Sequence, residues 1–180
     1  ILLREEVYRA TQGKIDFFQT PKFVRIARYG KKIQMNEGVC PAYSDCRMGL
    51  SPDKFILSYC DRALGITSAE EQPVLPKGNN LSLHLLELFT SRVAKVGMTD
   101  GIRQVLQEES DALRAYYEQA GILIARPAGE TSCRLAISAK GGTNAENHNH
   151  NDVGSYAVAL GSETMVGDQG GPNSYPGDYF

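Results

Sequence analysis

The residues most able to do chemistry stand in one polar run, residues 144–152. Two of the chain's three histidines, His148 and His150, stand two positions apart in this run. Glu146 and Asp152 flank them, and residues two apart in an extended backbone project to the same side, so these four side chains could share one face. Imidazole nitrogens and carboxylate oxygens suit Zn²⁺, and the same groups act as general acids and bases. An asparagine-rich run is also typical of a plain loop, but this histidine pattern predicts a metal or acid–base site.

A second carboxylate, Asp168, follows the strand-like residues 164–166 and precedes two glycines. A strand, a turn at residues 161–163 and a returning strand could bring Asp168 back near His150, because antiparallel neighbours lie about 5 Å apart. An aspartate before glycines is also a common turn residue, and the residues alone leave both interpretations open.

Helices are predicted over the first two thirds of the chain. Apolar residues recur at three-to-four spacing from residue 1 to about 33, and Pro21, capped by Thr20, is predicted to start a second helix. Ser51 and Pro52 are typical of a helix N-cap and first position. That helix is predicted to end near Gly65 and to bury Phe55, Ile56, Tyr59 and Leu64. Two more helices are predicted, over residues 81–93 and 99–109.

The pattern changes near Tyr117. Four short runs rich in branched or small apolar residues, separated by turns with glycine or proline, are predicted strands; they cover residues 121–126, 133–138, 155–160 and 164–166. Segregated helices and strands indicate an α+β protein, not alternating βαβ units. We therefore predict a helical portion, residues 1–115, followed by an antiparallel β portion, residues 116–180.

Composition narrows the function classes. The chain has 180 residues with a formal net charge of −2, 42% hydrophobic and 22% charged, which is typical of a globular protein. Bulk charge therefore indicates neither a nucleic-acid nor a membrane partner, and no apolar run is long enough to span a bilayer. A local basic cleft could still bind a polyanion. The chain starts at Ile1 without a methionine, and we expect both termini to be points inside a longer parent protein.

Four cysteines, at positions 40, 46, 60 and 133, show neither a CxxC pair nor zinc-finger spacing. A disulfide joining Cys46 to Cys40 or to Cys60 stays open, although buried free thiols are the usual state of such cysteines. The third histidine, His84, stands in a predicted apolar helix, where packing or exposure is expected and not metal binding.

The polar run also carries a family resemblance. Residues 139–156, AKGGTNAENHNHNDVGSY, followed by Gly161 and by Asp168-Gln169-Gly170, resemble the central motif of the heparinase II/III-like polysaccharide lyases. Residues 121–126 resemble the strand by which that family enters its β-sandwich. The resemblance is specific over residues 117–180 and only architectural before them.

That resemblance implies the C-terminal part of an incomplete α/α toroid over residues 1–115. It implies the first strands of an antiparallel β-sandwich over residues 116–180. Enzymes of this kind are carbon–oxygen lyases that cleave beside a uronic acid by β-elimination. The implied partners are an acidic polysaccharide, such as a glycosaminoglycan or an alginate-like chain, and the rest of the parent chain; a homodimer stays open. The resemblance also favours a periplasmic or secreted protein, and a cytoplasmic location stays open.

Roles carry over by position. His148 matches the catalytic histidine, and Asn147 and Asn149 beside it are the implied substrate-binding residues. His150 and Asp168 match two ligands of a structural zinc whose third ligand, a histidine, is expected downstream. The active site is therefore expected to be incomplete in these 180 residues.

The family also uses a toroid tyrosine as an acid or base. Tyr43, which follows Gly38 and Pro41, fits the family's Gly…Pro-x-Tyr pattern, although an ordinary loop tyrosine would look the same. The asparagine or histidine that neutralises the substrate carboxylate is expected upstream of Ile1. Two other functions stay open on the residues alone: a zinc-dependent hydrolase, and a non-catalytic glycan-binding fragment.

Overall fold

The computed structural model describes residues 1–67, 88, 93–110, 113–129, 131–146 and 150–168. Within them lie four α-helices: α1 (Leu2–Ala10), α2 (Pro21–Lys32), α3 (Lys54–Ala63) and α4 (Asp100–Ser110). A single 3₁₀ turn, Phe17–Gln19, separates α1 from α2. Five strands follow: β1 (Arg114–Tyr117), β2 (Ile122–Ala125), β3 (Leu135–Lys140), β4 (Tyr156–Leu160) and β5 (Glu163–Val166). The predicted α+β class is confirmed.

Contacts divide the chain into two compact units. The helical unit consists of Ile1–Lys31 and Pro52–Asp111, and the sheet unit consists of Lys32–Ser51 and Ala112–Phe180. Of the predicted helix over residues 81–93, only Leu88, which is helical, and Val93 belong to the described residues. Among the described helices, none is long and apolar enough to cross a membrane.

The helical unit packs around one apolar core, in which Val24, Tyr59, Ala63, Leu64 and Ile102 are completely buried. Helix α2 begins at Pro21, as predicted, because proline's fixed φ suits a first helical position. Helix α4 confirms the helix predicted over residues 99–109.

The start of α3 corrects a prediction. Asp53, and not Ser51, is the N-cap, because its carboxylate accepts hydrogen bonds from the backbone N–H groups of Phe55 and Ile56. The helix ends where expected: Gly65 has a φ of 68°, which glycine adopts without steric cost. Ile56 was predicted to be buried, but it is exposed, since Phe55 and Tyr59 take the inward face of the helix.

Helix α1 exposes apolar residues and buries charged ones, the reverse of the burial expected from its apolar spacing. Leu2 and Leu3 are exposed, whereas Arg4 and Glu5 are buried. Arg4 donates to both carboxylate oxygens of Asp16 and to the Tyr59 hydroxyl, which in turn donates to Glu5. Buried charges need such partners, because desolvation without pairing is costly. A polar network therefore anchors α1, and its apolar spacing misled the prediction.

The sheet unit is an antiparallel meander in the order β1-β2-β3-β4-β5. One sheet face is buried against Ile33, Met35 and Val39 of the segment Lys32–Ser51; it carries Ala115, Ile124, Ala136, Ala157 and Ala159. Small residues let the segment lie close to the strands. Arg126 holds the segment through the carbonyl oxygens of Lys32 and Gln34, and Asn36 donates to Gly161.

The other sheet face is apolar and exposed. Because successive side chains of a strand alternate between faces, the residues between the buried ones project outward together. They include Leu123, Leu135, Ile137, Tyr156 and Leu160, each more than a third exposed.

Candidate functional site

Tyr43 lies in the segment that covers the buried face of the sheet. Its hydroxyl is 2.7 Å from the hydroxyl of Ser138, a completely buried residue of β3. The tyrosine itself is 7% exposed. Tyr43, which the sequence predicted to lie in a loop, therefore has its hydroxyl held by a residue of the sheet.

The next residue, Ser44, connects this segment to the polar run. Its backbone N–H donates to the carboxylate of Asp152, which is almost completely buried, over 2.7 Å. Ser44 and Asn151 both have a positive φ, 58° and 61°. Such conformations cost energy in a non-glycine residue and cluster at functional sites. The Ser44–Asp152 contact between the two segments therefore lies at one such position, Ser44, and next to the other, Asn151.

A third contact follows at Asp45. Its carboxylate Oδ1 lies 2.9 Å from Nε2 of His150, the predicted zinc ligand. Both side chains are partly exposed. Residues 43, 44 and 45 thus contact β3, Asp152 and His150 in turn.

Asp168, the second predicted zinc ligand, lies near Tyr43. Burial raises the pKa of the Tyr43 hydroxyl above its usual value, the hydrogen bond between this hydroxyl and Ser138 opposes that rise, and the negative charges of Asp152 and Asp168 add to it. Asp168 is therefore close enough to Tyr43 for its charge to act on the phenol. Convergence of the Asp168 and His150 side chains stays a prediction.

The polar run belongs to the connection between β3 and β4, whose base is closed by backbone hydrogen bonds between Lys140 and both Gly154 and Ser155. Glu146 and Asp152 were predicted to share one face of an extended run with the histidines. The described part of the run is a loop instead, and Glu146 pairs with Lys140, both carboxylate oxygens lying 2.9 Å from the ammonium nitrogen. Asparagine tolerates the left-handed backbone found in this run, which breaks the alternation.

His148, Asn147 and Asn149, the predicted catalytic and substrate-binding residues, lie outside the described residues, as does His84. The chain on both sides of residues 147–149 is described. Glu146 is held by Lys140 on one side, and His150 is held by Asp45 on the other. Both flanks of the histidine-bearing segment are therefore attached to the sheet unit.

The donor types around His150 fit a zinc ion. Two ligand atoms of a tetrahedral zinc, with bonds of about 2 Å, lie about 3.3 Å apart. The 2.9 Å from His150 Nε2 to Asp45 Oδ1 is shorter and is the distance of a direct ion pair or hydrogen bond. No cluster of three or more histidine, cysteine or acidic side chains suited to a metal lies within the described parts of the chain. His150 and Asp168 are the residues predicted to hold the ion, and these parts of the chain do not bring them together with a third such side chain.

Sequence reasoning did not single out Ser138, Lys140 or Asp45. Ser138 ends the strand predicted over residues 133–138 and Lys140 follows two positions later; a serine and a lysine at a spacing that an extended strand places on one face were the available signal. Asp45 gave no signal, because its partner stands more than a hundred residues later in the chain.

Comparisons with known proteins give no relative: no protein-family model matches the chain, and no curated protein matches it. The functional argument therefore depends on the chain's own residues.

Proposed function

We propose that this chain forms part of a polysaccharide lyase that cleaves uronic-acid-containing polysaccharides by β-elimination. The observation that carries the proposal is the connection of the Tyr43 segment to the histidine-bearing loop. Ser44 binds Asp152 and Asp45 binds His150, so a tyrosine and the flank of His148, about a hundred residues apart in sequence, belong to one cluster.

The proposed reaction needs one base and one acid. The base removes the proton on C5 of the uronate, the C4–O bond breaks, a C4=C5 double bond forms, and the acid protonates the departing oxygen. Each proton transfer by a positioned side chain contributes roughly a hundred- to ten-thousand-fold in rate. Neutralising the adjacent carboxylate of the sugar stabilises the enolate-like intermediate, a role that we expect outside these residues.

Tyr43 is better suited to the acid role. A phenol with the usual pKa of about 10 is protonated at neutral pH, and burial raises the pKa of Tyr43 further, so the resting side chain holds a proton to donate and is not available as a base. His148 then takes the role of base, because an unperturbed imidazole is largely neutral at pH 7.

Zinc would have a structural role in this proposal. Bound by His150 and Asp168, with Asp45 beside them, a divalent cation would offset the local negative charge and fix His150. His148 stands only two residues from His150, so fixing one orients the backbone of the other.

The exposed apolar face of the sheet supports the finer fold proposal. A contiguous apolar sheet face is normally covered by a second layer, and a packed second sheet is one common solution. We therefore propose that the sheet is one layer of a β-sandwich and that the helical unit is part of an incomplete α/α toroid.

The test uses the whole protein that carries this chain, incubated with glycosaminoglycans and with alginate. Ultraviolet absorbance of a conjugated carboxylate should rise as unsaturated uronate ends form. New reducing ends without that absorbance would indicate a zinc hydrolase instead, and binding without either product would indicate a glycan-binding protein.

A further inference from the structure

Strand β3 directs two polar side chains into the buried face of the sheet. Ser138 is completely buried and Lys140 is 5% exposed, and Ala136 precedes them on the same face. The other buried positions of this face are apolar, mostly alanine. An apolar side chain would fill either position without the desolvation cost that a hydroxyl or an ammonium group carries.

Each of these side chains holds a different part of the candidate site. Ser138 contacts the Tyr43 hydroxyl over 2.7 Å. Lys140 donates to both carboxylate oxygens of Glu146 and to the carbonyl oxygen of Ala120. Three acceptors match the three hydrogens of an ammonium group, so the lysine is fully used, with two of its contacts on Glu146 and one on Ala120.

Because Ser138 and Lys140 stand on one strand, the two groups that they contact are held at a fixed distance from each other. Residues two apart on a strand lie about 7 Å apart on one face. Ser138 therefore fixes the tyrosine hydroxyl, and Lys140, one position further along the same face, fixes the residue that stands two before His148.

The geometry points to Ser138 and Lys140 as positioning residues, which set the distance between the Tyr43 hydroxyl and the chain segment that leads to His148. This inference rests on the proposed function, in which both groups must reach the same sugar ring. Effective catalysis needs reacting groups held within about half an ångström, so loss of either anchor should lower turnover more than it affects binding.

The experiment compares Ser138→Ala and Glu146→Gln in the whole protein, with Ser132→Ala and Glu163→Gln as controls that make the same chemical changes at exposed positions. We expect each test variant to lower kcat about tenfold or more while KM stays within about twofold of wild type. Both controls should match wild type. Melting temperatures are measured beside the rates.

A background variant separates positioning from simple support of the fold. If Ser138 acts through the tyrosine hydroxyl, Ser138→Ala should change kcat by less than about twofold in a Tyr43→Phe background. A tenfold loss that persists in that background would overturn the positioning role of Ser138. The Glu146→Gln variant tests Lys140 independently, at a partner whose side chain is about a third exposed.

Different results would overturn the positioning role and the lyase function. A wild-type protein that forms unsaturated product while both test variants match their controls would overturn the positioning role alone. A wild-type protein that forms no unsaturated product from any uronate polysaccharide would overturn the lyase function, and the positioning role with it.

Discussion

Three consecutive residues contact two elements of the sheet unit: Tyr43 contacts β3, and Ser44 and Asp45 contact the polar run between β3 and β4. Hydrogen bonds to buried or charged groups contribute roughly 1–3 kcal/mol each, and leaving one partner unpaired costs about as much. A substitution in this segment therefore has two costs: it removes the contact, and it leaves the partner residue unpaired. The short sequence pattern around Tyr43 could nominate that residue, but it could not reveal partners that only the fold brings near.

The burial of each cysteine predicts how fast its thiol reacts. The four cysteines are free thiols, of which Cys133 is exposed. Burial raises the pKa of Cys40, which lies beside Cys46, and of Cys60 to about 11 in each case. A higher pKa leaves less reactive thiolate at pH 8, by about a hundredfold relative to an unshifted thiol.

Iodoacetamide at pH 8 should therefore alkylate Cys133 first and Cys40 and Cys60 far more slowly, as measured by peptide mass spectrometry over time. In denaturant the four rates should converge, which controls for intrinsic differences. Native Cys60 reacting as fast as Cys133 would contradict the burial described here.

At the scale of helices and strands, strong local signals in the sequence predicted most elements correctly. Helices α2 and α4, the end of α3 and strands β2 to β5 follow from periodicity, proline, glycine and branched residues. Strand β1 did not, because Arg114–Tyr117 is four residues long and follows a helix without a proline or glycine to mark the change. The buried side of α1 was also unpredictable, since it depends on Asp16 and Tyr59 being available to pair with Arg4.

The turn between β1 and β2 lies very close to the start of the loop after β3, and substitution of a glycine can test this contact. Gly121 has a φ of 61°, and a Cβ added there would lie 2.5 Å from the backbone of Gly141 and Gly142, the residues that start the loop to the histidines. Gly121→Ala should destabilise the protein by about 3 kcal/mol, from the left-handed conformation and the overlap together.

Gly38→Ala is the matched control, because Gly38 also has a positive φ, 76°, but a Cβ there would meet no atom within 4 Å. It should cost only about 1 kcal/mol. Both values come from urea unfolding curves. Equal losses for the two variants would show that the Gly121 contact does not constrain the loop.

At the scale of the whole molecule, the chain enters the sheet unit twice. The segment Lys32–Ser51 stands between helices in sequence but packs on the sheet, so the residues proposed for catalysis gather in one unit. Composition and periodicity predicted helices followed by strands. They could not predict this insertion, because its apolar residues, Ile33, Met35 and Val39, do not reveal which surface they cover. The sequence pattern singled out His148 and His150, and the contact of Asp45 with His150 joins the second of them to the segment that carries Tyr43.

The most direct test of the lyase account is the initial rate of unsaturated-uronate formation by the whole protein carrying His148→Ala. We predict a fall of roughly a hundredfold or more, with bound zinc and melting temperature unchanged, because the role proposed for His148 is proton transfer and not metal binding. His150→Ala, two residues away, is the control and should lose zinc and stability as well as activity. A His148→Ala protein that keeps the wild-type rate, or that loses its zinc, would contradict the account.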